Sequence, residues 1–370
     1  MRLMRCGGCL ALLAVCAAGA RAADKVGPDP KEVKEVRDKA IAYLRTHQGA
    51  DGSFSPKVAG PGVTALVVTA LLRNGVSPDD PLVKKALAAM KKSVKADGGI
   101  YSRGLANYTT SVAVMGFAEA NKDGRFDDVI KKATAFLKKL QYGDDLKETD
   151  PRYGGASYDG KTKPDASNTQ YLVDALIAAG VPKDDPSIQR ALKFMSRCQN
   201  LPGETNDQPF AKKASEDDKG GLTYSPLDPD DSPHKTPAGG LRSLGAMTYG
   251  GLKSFLYAGV SKTDPRVQGA LRWIKKHYTL EENVGMGKKG LYYYYHTFGK
   301  AMAALGDDEF EDAKGTKHDW RKELFEALKK RQQKDGSWVN KGDRTFGEGD
   351  ANLATAFALL SLSYTTKSAK

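Results

Sequence analysis

Four groups of side chains in this chain have the types and spacing to do chemistry. Asp165-Ala166-Ser167-Asn168-Thr169 puts a carboxylate, hydroxyls and an amide within about one helical turn, a set suited to proton donation or to capping a helix. Asp228-Pro229-Asp230-Asp231 gathers three acids in a Pro-rich stretch, suited to a proton donor, a weak cation site or an acidic turn. Tyr292-Tyr293-Tyr294-Tyr295-His296 concentrates phenols beside an imidazole. There the phenol of Tyr295 and the ring of His296 could serve as acid and base, and the other rings could bind an apolar body. Cys198, followed by Gln199-Asn200, is the fourth. Asp165, Tyr295 and His296 are thus the catalytic candidates. Tyr108, Asn168, Tyr249, Tyr292, Tyr294 and Asn352, set at matching depths on the apolar helices described below, are the ligand-binding candidates.

The amino terminus reads as an export leader. Arg2 and Arg5 form a basic start, Leu10 to Ala20 is an apolar run too short to span a bilayer, and Ala20-Arg21-Ala22 is a small-residue cleavage site. Residues 1–22 are therefore read as a signal peptide and 23–370 as one domain, periplasmic or extracellular. Leu13-Ala14-Val15-Cys16 is a weaker match to a lipid-anchor box, with Val15 ill suited beside the acceptor cysteine. Cys6, Cys9 and Cys16 leave with the leader, so the mature chain keeps only Cys198. That excludes an intramolecular disulfide and a cysteine-based zinc cluster; no metal or cofactor is expected. Removal of Arg2, Arg5 and Arg21 takes the net charge from +12 to about +9, much of it lysine on helix faces. An exported chain without a binding motif is a poor match for nucleic acid. The charge fits a solvated surface, or attraction to an anionic glycan or headgroup. No later segment reads as a transmembrane helix, and the oligomeric state is left open.

The elements that position these residues repeat. Ala40-x-x-Tyr43-Leu44-x-x-x-Gln48-x-x-x-Gly52-x-Phe54 returns as Leu324-x-x-Ala327-Leu328-x-x-x-Gln332-x-x-x-Gly336-x-Trp338. Gln141 and Gln199 keep the helix-end half of the phrase, and Tyr278 stands where a fifth Gln would. Lys-rich amphipathic helices open at Asp80-Pro81, Asp185-Pro186 and Asp264-Pro265, with Asp as the cap and Pro in the first turn. Their stripes run Val83, Ala86, Leu87, Met90, then Ile188, Ala191, Leu192, Met195, then Val267, Ala270, Leu271, Ile274. Between them lie helices apolar on nearly every side. Four carry a Thr eleven residues before a turn: Thr64 and Gly75, Thr110 and Asn121, Thr169 and Gly180, Thr248 and Gly259. Six amphipathic helices, starting near Pro30, Pro81, Asp128, Pro186, Pro265 and Trp320, alternate with six apolar ones. Two concentric rings of helices are expected. Long loops, including 200–241, gather at the end where the inner helices begin, and a site is expected there.

The Tyr/Phe-Leu-x-x-x-Gln-x-x-x-Gly-x-Phe/Trp phrase resembles the QW motif of squalene–hopene cyclases and of the wider terpenoid-cyclase and prenyltransferase toroids. The resemblance covers nearly the whole mature chain. It implies an all-α (α/α)6 toroid with a central cavity, and an apolar isoprenoid ligand. Cyclases of this type protonate an alkene with Asp-x-Asp-Asp-Thr at an inner-helix start. In register, Asp165 and Thr169 keep the first Asp and the Thr, while Ser167 and Asn168 replace the other acids. Around Thr248 the acid positions hold Leu244, Ala246 and Met247, so Asp228–Asp231 lies upstream of the register. Cys198 at an outer-helix end does not suit the zinc of a prenyltransferase, and the Glu of a thioester sequence is absent. The chain is accordingly expected to bind an apolar or anionic glycan ligand at the toroid mouth without the cyclase acid. Class II terpenoid cyclase and α/α-toroid polysaccharide lyase are the alternatives.

Overall fold

A computed structural model describes residues 26–366 apart from 103 and 228. The expected leader and cleavage site, Cys16 and Asp228 lie outside the described residues. Six helices nearly buried all round form an inner ring: α3 (Pro61–Arg73), α5 (Ala106–Ala120), α7 (Ala166–Ala178), α10 (Gly245–Tyr257), α12 (Leu291–Leu305) and α14 (Ala351–Leu362). Each packs on the next and α14 packs on α3, so the ring is closed. The outer helices are α1 (Pro30–Thr46), α4 (Pro81–Lys91), α6 (Asp127–Leu140), α8 (Pro186–Arg197), α11 (Pro265–Lys276) and α13 (Trp320–Arg331). Five pack against the inner helix that precedes them, and α1 packs against α14, joining the two ends of the chain. Two single-turn helices, α2 (Pro56–Ala59) and α9 (Pro209–Lys212), and a two-residue hairpin, β1 (Phe310–Glu311) with β2 (Lys317–His318), decorate the loops. No described helix is long and apolar enough to cross a membrane.

The local chemistry explains this arrangement. Asp29, Asp80, Asp185 and Asp264 each accept a backbone N–H two residues on, which fixes the start of α1, α4, α8 and α11. The amphipathic stripe then turns inward and leaves the lysines in water. At the far end, Gln48, Gln141, Gln199 and Gln332 each donate two hydrogen bonds of 2.8–3.1 Å. One goes to the motif glycine carbonyl. The other goes to the first or second turn of the next outer helix: Leu82, Ser187, Arg266 and Val36 respectively. Tyr278 takes the Gln role at its own joint, donating its hydroxyl to Glu323 of α13 at 2.8 Å.

Glycine is required where the motif touches the next helix. Gly154 has φ +86°, and a Cβ there would lie 1.9 Å from the Arg190 carbonyl oxygen; Gly52, Gly220 and Gly336 repeat the contact. The residue two positions on (Phe54, Ala156, Leu222 and Trp338), and Ile100 after Gly98, then donates its backbone N–H to a threonine of the inner helix. These acceptors are Thr64, Thr169, Thr248, Thr355 and Thr110, at 2.9–3.0 Å. The repeated threonine is thus a tie between loop and inner helix, which sets where five of the six inner helices begin.

Gln141→Leu should lower stability by about 1–3 kcal/mol, because it leaves two buried carbonyls without their donor. Urea unfolding should show a lower midpoint at unchanged slope. Tyr278→Phe removes one partly buried bond and should cost less, about 1 kcal/mol or under.

Candidate functional site

The first turns of α5, α7, α10, α12 and α14 converge on a cavity of about 260 Å³ at the loop end of the ring. Its wall is mainly aromatic: Tyr108, Tyr171, Tyr293 and Phe357 come from inner helices, Tyr158, Tyr224 and Phe346 from the loops. Leu244, Ala246, Met247, Met286 and Leu353 fill the spaces between rings. The polar lining groups are few: Ser167, Asn283 and Glu348, besides the phenols. Tyr108 meets Tyr171 edge-on at 5.1 Å, and Tyr171 stacks near Tyr293 at 6.0 Å, so the phenols brace one another. Val58 and Phe346, both exposed, stand at the rim. Phe346 holds φ +61°, an unusual conformation for an aromatic residue.

Asp165 caps α7. One carboxylate oxygen accepts the Asn168 backbone N–H at 2.7 Å and the other the Asn168 side-chain amide at 2.8 Å. It is 3% exposed and lies behind the wall rather than in it. Burial pushes its carboxyl up to about 6, against the pull of the Asn168 hydrogen bonds and the nearby Tyr224 hydroxyl. Ser167, by contrast, lines the cavity and shares a 2.9 Å hydrogen bond with the Tyr293 hydroxyl.

Glu348 is the functional candidate that spacing did not single out. It is fully buried, lines the cavity, and accepts the Tyr293 backbone N–H and the Asn340 amide, each at 2.8 Å. Burial pushes its carboxyl up to about 7, although these donors and the N–H groups of Tyr292 and Leu291 pull the other way. The only sequence signal was an acid flanked by glycines, Gly347-Glu348-Gly349, just before the capping Asp350.

Beneath the cavity a polar chain runs inward. The Gln170 amide donates to the Tyr293 hydroxyl. Its carbonyl accepts Lys253 Nζ at 2.9 Å, and Asp174 accepts Lys253 and Lys300 at 2.7 and 2.8 Å. Burial alone would raise the Asp174 carboxyl, but the two ammonium groups outweigh it and hold it at about 2. Burial pulls Lys253 down to about 8 against the attraction of Asp174.

The tyrosine run divides by helical geometry. Tyr293 faces the cavity. Tyr294 and Tyr295 point into the outer layer and donate to the Thr279 and Leu280 carbonyls at 2.7 and 2.6 Å; the Arg331 guanidinium lies 5.7 Å from the Tyr295 ring. Tyr292 meets Tyr295 edge-on. His296 points into the ring interior near Phe357 and Tyr364, where burial, then the charges of Lys300 and Arg73, hold its ring well below its usual range. Tyr295 and His296 therefore do not meet, and neither lines the cavity. Tyr249 packs edge-on against Tyr294 and Phe298, Asn352 donates to Ser55 at 3.0 Å, and Asn168 serves Asp165. Of the ligand-binding candidates, Tyr108 alone is in the wall. Asp230 is exposed on a single-turn helix and paired with Lys235. Among the described residues no three His, Cys, Asp or Glu side chains gather as a metal site.

A family model for the squalene–hopene cyclase C-terminal domain matches residues 56–215. Among solved structures, the type II terpene cyclase MstE from Scytonema aligns at 13% identity and TM-score 0.54, covering 91% of this chain and 98% of that one. An α-1,6-mannanase from Salegentibacter sp. HEL1_6 aligns at 10% identity and TM-score 0.57, over 90% and 98%. A polysaccharide lyase aligns at 11% and TM-score 0.55, over 90% and 96%. No curated protein sequence matches. The chain is thus a terpene-cyclase-like α/α toroid, in a fold shared with enzymes that act on glycans; at these identities the structural likeness is one of fold.

The pH dependence of stability tests the burial of Glu348. Its folded value lies above its unfolded value, so the folded state holds the proton more tightly. Folding gains from this group below about pH 5 and loses it as pH rises through about 7. Glu348→Gln should flatten the stability profile between about pH 5 and 7.5 by up to about 3 kcal/mol, read by urea unfolding at stepped pH.

Proposed function

We propose that this chain is an exported, terpene-cyclase-like toroid that binds an apolar, isoprenoid-type ligand in the aromatic cavity and does not protonate alkenes. The carrying observation is Ser167. In register with the cyclase motif it takes an acid position, and it faces the cavity with a hydroxyl bonded to Tyr293. A serine hydroxyl is far too weak an acid to protonate an alkene. Asp165, the acid that remains, directs both oxygens at Asn168, where they accept hydrogen bonds. In that geometry it offers no proton to the cavity.

The wall supports an apolar ligand over a glycan. A sugar ring needs many convergent polar partners, and this lining supplies few. The Lys-rich surface does not extend to the cavity, since no lysine, arginine or histidine is among its described lining residues. A lyase would also need an acid and a base at the ligand, and Tyr295 and His296 lie elsewhere. The volume, about 260 Å³, is just under the usual range for ligand pockets, roughly 300–1,000 Å³, and suits a short isoprenoid or the end of a longer one.

Isothermal titration with farnesol should show saturable one-to-one binding. Ala246→Phe, which fills the cavity from α10, should weaken it at least tenfold while the circular dichroism spectrum stays unchanged. Absence of binding by a series of C10 to C20 prenyl alcohols would remove the reading. Incubation with squalene should yield no cyclic product; a cyclic product would overturn the loss of the acid.

A further inference from the structure

The cavity combines two features that neutral hydrocarbon recognition does not require. Its wall presents five tyrosines, and its lining includes Glu348, whose fully buried carboxylate accepts the Tyr293 N–H and the Asn340 amide. Behind the wall lies a second buried carboxylate, Asp165, beside the Tyr224 hydroxyl. Neither acid has a cationic partner among the described residues, in a protein whose formal charge is +12. Buried acids elsewhere in the ring are treated differently: Asp174 is held between Lys253 and Lys300.

We infer that the ligand of this cavity carries one compact positive charge, a quaternary or tertiary ammonium on an apolar body, held by the tyrosine faces and by Glu348. The inference rests on the apolar-pocket reading above and deepens it.

The opposing explanation is that the two carboxylates merely cap helices. Each does sit at a helix start: Asp165 at α7 and Glu348 at the first turn of α12. A helix start offers only about half a positive charge, whereas each ionised carboxylate brings a full negative one. Capping alone leaves each ionised carboxylate with an excess of negative charge near the cavity. Burial without a counter-charge also explains why Asp165 rises to about 6 and Glu348 to about 7. An ammonium within the ring of phenols would meet the negative faces of those rings and neutralise the excess. A tetraalkylammonium group keeps few hydrogen-bonding needs, which fits a wall with few polar partners.

The test compares carbon isosteres at pH 8, where both acids are ionised. Phenyltrimethylammonium and tert-butylbenzene have nearly the same shape and differ in charge. Titration calorimetry on the whole protein should show the cation binding at least about tenfold tighter. Glu348→Gln should remove most of that preference, weakening the cation far more than tert-butylbenzene. Asp165→Asn, which preserves a capping side chain, should reduce the preference less, and it keeps the test usable if the Glu348 variant does not fold. Equal or tighter binding of tert-butylbenzene overturns the charge inference and leaves the apolar pocket standing. Binding of neither probe, together with no prenyl alcohol binding, overturns both readings. A cation preference unchanged in both variants overturns the role given to the carboxylates.

Discussion

The cavity depends on a side-chain amide that one outer helix offers to the next. Each motif glutamine spans two backbones, its own loop at the glycine carbonyl and the opening turns of the following helix. A net 0.5–1.5 kcal/mol per hydrogen bond is modest. What matters more is that the bonds are buried or partly buried and directional, so the outer ring takes one spacing rather than several. The last glutamine, Gln332, bonds Val36 of α1 and carries the same joint across the chain ends. An open stack of helix pairs would need capped terminal faces; closure removes them.

The second joint departs from this rule. Val94 stands where Gln would, and it has no amide to give. There the approach is made by Gly98 alone, whose would-be Cβ lies 2.7 Å from the Lys132 carbonyl oxygen. The fifth joint uses Tyr278, which reaches Glu323 and also stacks on His318 at 4.1 Å. Two different substitutions thus keep the same helix spacing. Close approach of backbone to backbone, permitted by glycine, carries the geometry where the amide is missing. The loop-to-threonine bonds at Thr64, Thr110, Thr169, Thr248 and Thr355 then transmit that spacing inward, to the helix starts that line the cavity.

The rings were legible from periodicity, because each unit repeats the same local task. The Asp-Pro caps, the apolar stripes and the threonine-to-turn interval all reflect contacts within or between neighbouring units. The site was less legible, and for a physical reason: its contacts cross the ring axis. Ser167 meets Tyr293 from 126 positions away, and Lys253 meets Asp174 from 79. No local pattern announces such pairs. The tyrosine run misled in a related way. Successive residues on a helix turn about 100° apart, so four adjacent phenols cannot share a face. Tyr293 alone reaches the cavity, while Tyr294 and Tyr295 serve the outer layer. Glu348 sits on a loop, and its importance comes from burial that the glycines beside it do not reveal.

The ring interior handles charge in two opposite ways. Asp174 would be costly to bury alone, so Lys253 and Lys300 close on it from α10 and α12 and tie three inner helices together on the axis. Gln170 connects that triad to Tyr293, which connects to Ser167. This polar chain lies beneath Ser167, which lines the cavity. An acid placed there would stand close to Tyr293 and one residue pair from a buried ammonium, a setting that favours the ionised form and therefore opposes holding the proton for delivery. The serine at 167 and the lysines below it are thus compatible parts of one electrostatic arrangement. The two buried acids without an ion pair, Glu348 in the cavity lining and Asp165 behind it, lie apart from this paired floor.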